Sequence, residues 1–469
     1  MARAESTKNR RSDDDIHDPS GDDDDLLGRG PLERLLHSIM GQRRLFNLGF
    51  PHLARHRDLG AALAVDLDGQ RHRVVDEHRR IGHGPGCRGD KALPAEHGPD
   101  FLCEMRGHRG HELRQHAQGG AFRRPPRLRF RQRVAVDMTG RSTASKMIGQ
   151  EVSIPVALAP VGLTGMQYAD GEILAARAAE KFGVPFTLST MSVCSIEDVA
   201  ENTTKPFWLQ LYMMKDTDYI SRLIQRAKNA KVSALVITLD LQILGQRHKD
   251  LKNGLSTPPK LTLKTMANLA TKWSWGLGML GTKRRFFGNI VGHAKNVTDT
   301  TSLSSWTAEQ FDPSLDWDKV KQLKNEWGGK VILKGILDSE DAKMALNVGA
   351  DAIIVSNHGG RQLDGAISSI KALPSILDAV GDKIEVHIDG GIRTGQDVLK
   401  CMAMGAKGTY IGRAYTYGLG ALGEKGVTKT LEILQKEMDV TMALCGEKNI
   451  LNMNKKNLLI PKDFIPQWL

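Results

Sequence analysis

Eight short apolar runs, each closed by a polar residue or a glycine, constrain this chain more than any other feature. They are "SIPVALA" (153–159), "VPFTLS" (184–189), "FWLQLY" (207–212), "SALVITL" (233–239), "KVILK" (330–334), "AIIVS" (352–356), "IEVHID" (384–389) and "GTYIG" (408–412). Strands this continuously apolar are buried on both faces, which calls for parallel pairing with helices packed outside. The intervening stretches carry helix punctuation. "SIED" (Ser195 to Asp198) and "TGQD" (Thr394 to Asp397) have capping-box spacing, and Gly183, Gly349 and Gly405 sit at helix stops just ahead of strands. Eight such units predict a closed (β/α)8 TIM barrel; the alternative is an open doubly wound sheet.

A barrel turns scattered polar residues into one site, because the C-terminal ends of all eight strands open on the same face. Ser189 closes the second strand, Gln210 and Tyr212 the third, Thr238 and Asp240 the fourth, Lys334 the fifth, and Ser356 with His358 the sixth. Asp389 and Arg393 follow the seventh, and Gly412 with Arg413 the eighth. Any one of these alone reads as an ordinary strand cap or turn residue; their coincidence on one rim points to chemistry. "DGGIRTG" and "YIGRAY" also lie where this fold binds phosphate, through glycine N–H groups and a cation, so a phosphate-bearing cofactor is implied.

The first third of the chain is a different population. Residues 1–135 hold 23 Arg, 2 Lys and 11 of the 15 His, with no Tyr or Trp, whereas the remainder holds 10 Arg and 30 Lys. Residues 1–127 also contain the acidic tract "DDDIHDPSGDDDD" and lack sustained periodicity, so they are expected to pack poorly and read as an atypical, disordered or out-of-frame segment ahead of a barrel domain at 128–469. The net charge of +11 therefore does not indicate nucleic acid, and no nucleic-acid module accompanies "FRRPPRLRFRQR". "HELRQH" (His111 to His116) is one residue too long for a zinc helix, and five dispersed cysteines offer neither metal spacing nor a disulfide framework. No metal is expected. With no spanning apolar run and no signal-type h-region, the expected location is the cytoplasm.

From about 128 to 450 the sequence resembles the FMN-dependent 2-hydroxy acid dehydrogenase/oxidase family. "SNHGGRQLDG" is the family's active-site signature, and agreement continues through "RQRVAVDM", "TLSTMSVCSIEDVA", "QLY", "LGQRHKDLKNGLS", "LKGI", "DGGIR" and "IGR". The resemblance implies FMN at the barrel mouth and oxidation of a small (S)-2-hydroxy acid, L-lactate foremost, to its 2-oxo acid. Pro160, Val161 and Gly162 would pass beside the reactive flavin nitrogen, with Val161 standing where the family often has Thr. Ser189, Gln210 and Thr238 would bond the ring edge, and Lys334 its pyrimidine end, with Ser356 and Asp389 in the same cofactor set. Gly390, Gly391, Arg393, Gly412 and Arg413 would hold the phosphate. By the same resemblance His358 is the base, supported by Asp240; Arg361 clamps the substrate carboxylate, Tyr212 bonds the substrate oxygen, and Arg247 is a second cation. A carboxylate matched by a planar guanidinium next to a carbinol that must lose a proton explains why His and Arg share one turn. A flavin-binding pseudoenzyme, or the impaired product of a damaged gene, is the competing reading, and a basic nucleic-acid-binding protein a third.

Two departures from the family carry expectations. "TKWSWGLGMLGTKRRFFGN" (271–289) interleaves aromatics and aliphatics with Lys and Arg, so this segment is expected to lie on a bilayer surface or to pack on the barrel or a neighbouring subunit. The first alternative implies a peripheral, quinone-linked dehydrogenase rather than an oxidase, on the inner face of the cytoplasmic membrane; the acceptors left open are a quinone, a cytochrome or oxygen. A homo-oligomer is also expected. Upstream, the family's tyrosine-bearing lid has no counterpart, since Tyr168 is the first tyrosine of the chain.

Overall fold

The computed structural model describes residues 128–245, 271–294, 297 and 310–464. The expectations for residues 1–127 and the role given to Arg247 lie outside the described residues. Eight parallel strands form the barrel: β1 (Val156–Leu158), β2 (Thr187–Ser189), β3 (Trp208–Tyr212), β4 (Ala234–Thr238), β5 (Lys330–Ile336), β6 (Ala352–Val355), β7 (Glu385–Ile388) and β8 (Gly408–Ile411). All eight expected runs are strands. Their hydrogen-bonded order is sequential, with β8 pairing back onto β1. Between β1 and β2 the ring closes through a single parallel bridge, Leu158 to Phe186, and the hydrogen bond from Leu158 N–H to Pro185 O.

Side-chain alternation divides each strand between two cores. Outward residues such as Leu209, Leu211, Leu235, Ile237, Val331 and Leu333 join the surrounding helices in one large cluster. Inward residues Ala157, Trp208, Val236, Ile332, Ile354 and Tyr410 fill the barrel, with Met147 packed among them from the hairpin Ser145–Val152. Both expected capping boxes form: Ser195 and Thr394 accept from the backbone of Asp198 and Asp397, whose carboxylates reach back to the cap N–H. Gly183 and Gly405 are left-handed helix stops, as expected.

The segment 271–289 divides in two. Its first half is the helix Trp273–Gly281, in which no residue is buried. The second half packs on the barrel: Thr282, Phe287 and Asn289 are buried, and Arg284 pairs with Asp170 and Asp198. The two expected alternatives therefore divide the stretch between them: the helix leaves apolar side chains in solvent, whereas the apolar part of Thr282 to Asn289 packs on the barrel apart from Phe286, which is exposed.

Candidate active site

Parity along the strands decides what the mouth contains. Two residues beyond inward Trp208, Val236, Ile332 and Ile354 come Gln210, Thr238, Lys334 and Ser356, so the same inward phase that fills the barrel delivers polar groups to its C-terminal end. All four are buried. Ser189 Oγ donates to Gln210 Oε1 at 3.0 Å, and Gln210 Nε2 donates to Thr238 Oγ1 at 3.0 Å. The three residues expected to line the ring edge thus form one hydrogen-bonded chain across β2, β3 and β4.

Lys334 stands beside them, 3.1 Å from Ser356 Oγ and 3.3 Å from Asp389 Oδ2. Burial disfavours its charged form, but Asp389 and then Asp240 more than offset this, and its pKa lies above the ordinary lysine value. It remains an ammonium. Two of its three N–H groups are accounted for, and Oδ1 of Asp389 and Oδ2 of Asp240 are buried with no hydrogen bond among the described residues. Such polar capacity at a barrel mouth is what a polar ring system satisfies. The side expected to take a phosphate offers glycines and cations. Gly390 and Gly391 follow β7 with φ of 97° and 73°, and after β8 a long helix starts at Arg413, with Arg393 on the adjacent loop. Arg413 also donates to Gly359 O at 3.3 Å, tying the phosphate side to the His358 turn. Val161 packs towards Gly412, bringing the Pro160–Gly162 turn against the β8 end. These residues fit FMN.

The candidate reacting end is a dyad between the loops after β4 and β6. His358 Nδ1 lies 2.8 Å from Asp240 Oδ1, joining residues 118 apart. His358 adopts φ 57°, a left-handed conformation that costs a non-glycine residue on the order of 1–3 kcal/mol. The Ser356 hydroxyl helps hold it there by accepting from His358 N–H at 3.0 Å. Burial raises the Asp240 pKa, but Lys334 and then His358 outweigh it, so the carboxyl lies below its ordinary range and stays ionised. At Gly335, where φ is 107°, a Cβ would fall 2.7 Å from Asp240 Cγ, so only glycine leaves room for that carboxylate. Arg361 projects from the same turn and is exposed, while Tyr212 stacks edge-on against Phe311 with centroids 5.6 Å apart.

Two supporting residues escaped the sequence reading. Asn289 is fully buried, accepts from Ile196 N–H, and donates to Ser192 Oγ at 3.0 Å and Ser189 O at 3.4 Å, steadying the loop that carries Ser189. Glu172, also buried, accepts from the N–H groups of Val193 and Cys194 in that loop. No local pattern marks either one, since both act on residues distant in the chain.

Fold and site together define a flavin-dependent barrel oxidoreductase. The chain belongs to the FMN-dependent dehydrogenase family, whose model matches residues 106–459. That match begins inside the stretch set apart by composition. The L-lactate dehydrogenase of Caulobacter vibrioides is 44% identical over 329 residues, 70% of this chain and 86% of the relative. That of Pseudomonas aeruginosa is 45% identical over 335 residues, 71% of this chain and 87% of the relative. Among solved structures, a monotopic membrane protein, (S)-mandelate dehydrogenase, aligns with a TM-score of 0.69 and 30% identity over 77% of this chain and 98% of its own. A soluble mutant of the membrane-associated (S)-mandelate dehydrogenase from Pseudomonas putida gives 0.60 and 34% over 71% and 88%.

Proposed function

We propose that this protein oxidises a small (S)-2-hydroxy acid, L-lactate first among them, to the 2-oxo acid. The observation that carries the reading is the 2.8 Å His358–Asp240 dyad with Arg361 on the same turn, at the mouth that fits FMN. FMN, when bound, supplies the two-electron acceptor. Arg361 and Arg247 hold the substrate carboxylate, and Tyr212 orients the hydroxyl. His358 Nε2, which makes no hydrogen bond among the described residues, receives the substrate proton while Asp240 stabilises the resulting imidazolium. L-lactate should bleach the yellow holoenzyme anaerobically; a flavin that stays oxidised with lactate and other short 2-hydroxy acids would favour a flavin-binding pseudoenzyme.

The helix Trp273–Gly281 supports a peripheral location, on the cytoplasmic face of a membrane, with a membrane quinone as acceptor. Trp273, Leu277 and Leu280 are 72%, 60% and 71% exposed, and Lys272, Lys283 and Arg285 flank them in solvent. Apolar side chains rimmed by cations suit an anionic bilayer surface, where each nearby cation contributes about 1 kcal/mol. Among the described residues no helix is long and apolar enough to cross a membrane. Removing 272–287 outright would also remove buried Phe287 and the Arg284 pairs, so point substitutions are the sound test. Replacing Trp273, Leu277 and Leu280 together by Ser should abolish flotation with anionic vesicles while FMN stays bound. Unchanged flotation would remove this helix as the contact.

A further inference from the structure

The loop after β4 that carries Asp240 has little support of its own. Residues 239–245 form no helix or strand, and the described hydrogen bond of the Asp240 side chain is the one to His358; its other oxygen, Oδ2, is buried without a partner. A carboxylate held on one side only is aimed by its backbone. Gln242 Nε2 donates to Leu315 O at 2.6 Å, but among the described residues one side chain, from the opposing loop, bonds the backbone of 240–245. Gln362 Nε2 donates to Asp240 O at 2.8 Å and to Ile243 O at 3.0 Å, while its Oε1 accepts from Gly245 N–H at 3.4 Å. The two loops also touch directly, since a Cβ on Gly245 would come within 2.6 Å of Gln362 O and 3.0 Å of Arg361 O.

We propose that Gln362 is a positioning residue: by bonding three backbone groups of the 240–245 loop it sets Asp240 against His358. The inference rests on the reading of His358 and Asp240 as the base and its partner. Only a primary amide meets the geometry, because it offers two N–H donors on one nitrogen and an acceptor beside them. Glutamate has the same length but would aim oxygen lone pairs at two carbonyls. Methionine keeps the volume and removes every hydrogen bond. Because Gln362 follows Arg361 directly, one turn carries the carboxylate clamp, the base and the brace for the partner of that base. The arrangement makes the distance between clamp and base independent of how the β4 loop would settle alone.

The test compares the holoenzymes of Asp240→Asn, Gln362→Met, Gln362→Glu and the double variant Asp240→Asn/Gln362→Met, measuring anaerobic flavin reduction by L-lactate alongside FMN occupancy. Both Gln362 variants should keep FMN and reduce it about 10–100-fold more slowly, with KM for lactate little changed. The double variant should be no slower than Asp240→Asn alone, because both changes remove the same interaction. A residue that merely stiffens the fold would give multiplied losses, or would lose FMN, and either result overturns the proposal. Wild-type rates in both Gln362 variants also overturn it. Should Gln362→Met fold poorly, Gln362→Glu is read against Asp240→Asn and the corresponding double variant. If Asp240→Asn itself reduces flavin at the wild-type rate, the reading of the dyad falls as well, whereas a slow Asp240→Asn beside unimpaired Gln362 variants sinks this inference alone.

Discussion

The two ends of the barrel carry the same pair of side-chain types in opposite surroundings. At the mouth, His358 faces Asp240 at 2.8 Å; at the floor, His387 faces Glu385 at 3.0 Å. Strand β7 shows how this arises, since Glu385, His387 and Asp389 share its inward phase and climb from floor to mouth. The difference lies in what else each histidine touches. His387 is fully buried, and its second nitrogen is 3.2 Å from the Tyr410 hydroxyl. Glu385 also accepts from Ile148 N–H at 2.8 Å, and Lys330 donates to Ile148 O, so the floor is a closed polar network. His358 keeps one nitrogen without a described hydrogen bond, is partly exposed, and sits in a left-handed backbone conformation. A histidine–carboxylate pair by itself therefore does not single out a base; spare valence, access and strain are what favour His358 over His387 for the proposed role.

The sharpest way to break this comparison is to exchange each histidine. His358→Gln should slow flavin reduction by about 10²–10⁴-fold while FMN stays bound, the range usual for losing a general base. His387→Gln should leave that rate essentially unchanged. Equal losses from both, in stopped-flow reduction by lactate, would erase the distinction.

A second test removes the buried cation at the mouth. Lys334→Met leaves Asp389 buried without its cation, which should destabilise the apoprotein by about 3–5 kcal/mol in denaturant unfolding and weaken FMN retention. An apoprotein of unchanged stability would show that the Lys334–Asp389 pair contributes nothing to the fold.

At the floor, His387→Phe should cost about 1–3 kcal/mol, because Tyr410 and Glu385 each lose a buried partner, with catalysis intact. Retained stability would mean that water substitutes for the ring.

The smallest effect is a pH dependence. Burial raises the Glu385 pKa, but His387 and then Ile148 N–H outweigh it, leaving it below the ordinary carboxylate value. A depressed folded pKa means the contribution is present above the unfolded-chain value of about 4.3 and is lost as pH falls through the folded one. The stability gap between wild type and Glu385→Gln should therefore be fully developed near neutrality and close in acid. Asp240 is lowered in the same direction, so the mouth dyad should weaken on the acid side too. A gap that widens with acid would reverse the sign and refute the assignment.

Much of the site was legible because barrel parity is local. Ser189, Gln210, Thr238, Lys334 and Ser356 follow apolar runs at fixed spacing, and a parallel barrel gathers every strand end on one rim. The segment 271–289 was legible only in part: its composition showed apolar and cationic residues together, but not that the helix faces water while Phe287 and Asn289 are buried. Exposure depends on what packs against a segment, and composition carries no record of that.

The eight strands, the two capping boxes and the His–Gly–Gly–Arg turn were legible in the sequence, because all of them follow from spacings of a few residues. Only the tertiary structure decided that Asp240 meets His358 across 118 residues, that Gln362 braces the Asp240 loop, that Asn289 steadies Ser189, and that His387 is sealed while His358 is open. The physical reason is range. Backbone periodicity and capping act over one or two turns of chain and leave a pattern in the sequence, whereas a hydrogen bond between distant loops depends on the distances that closing the barrel fixes.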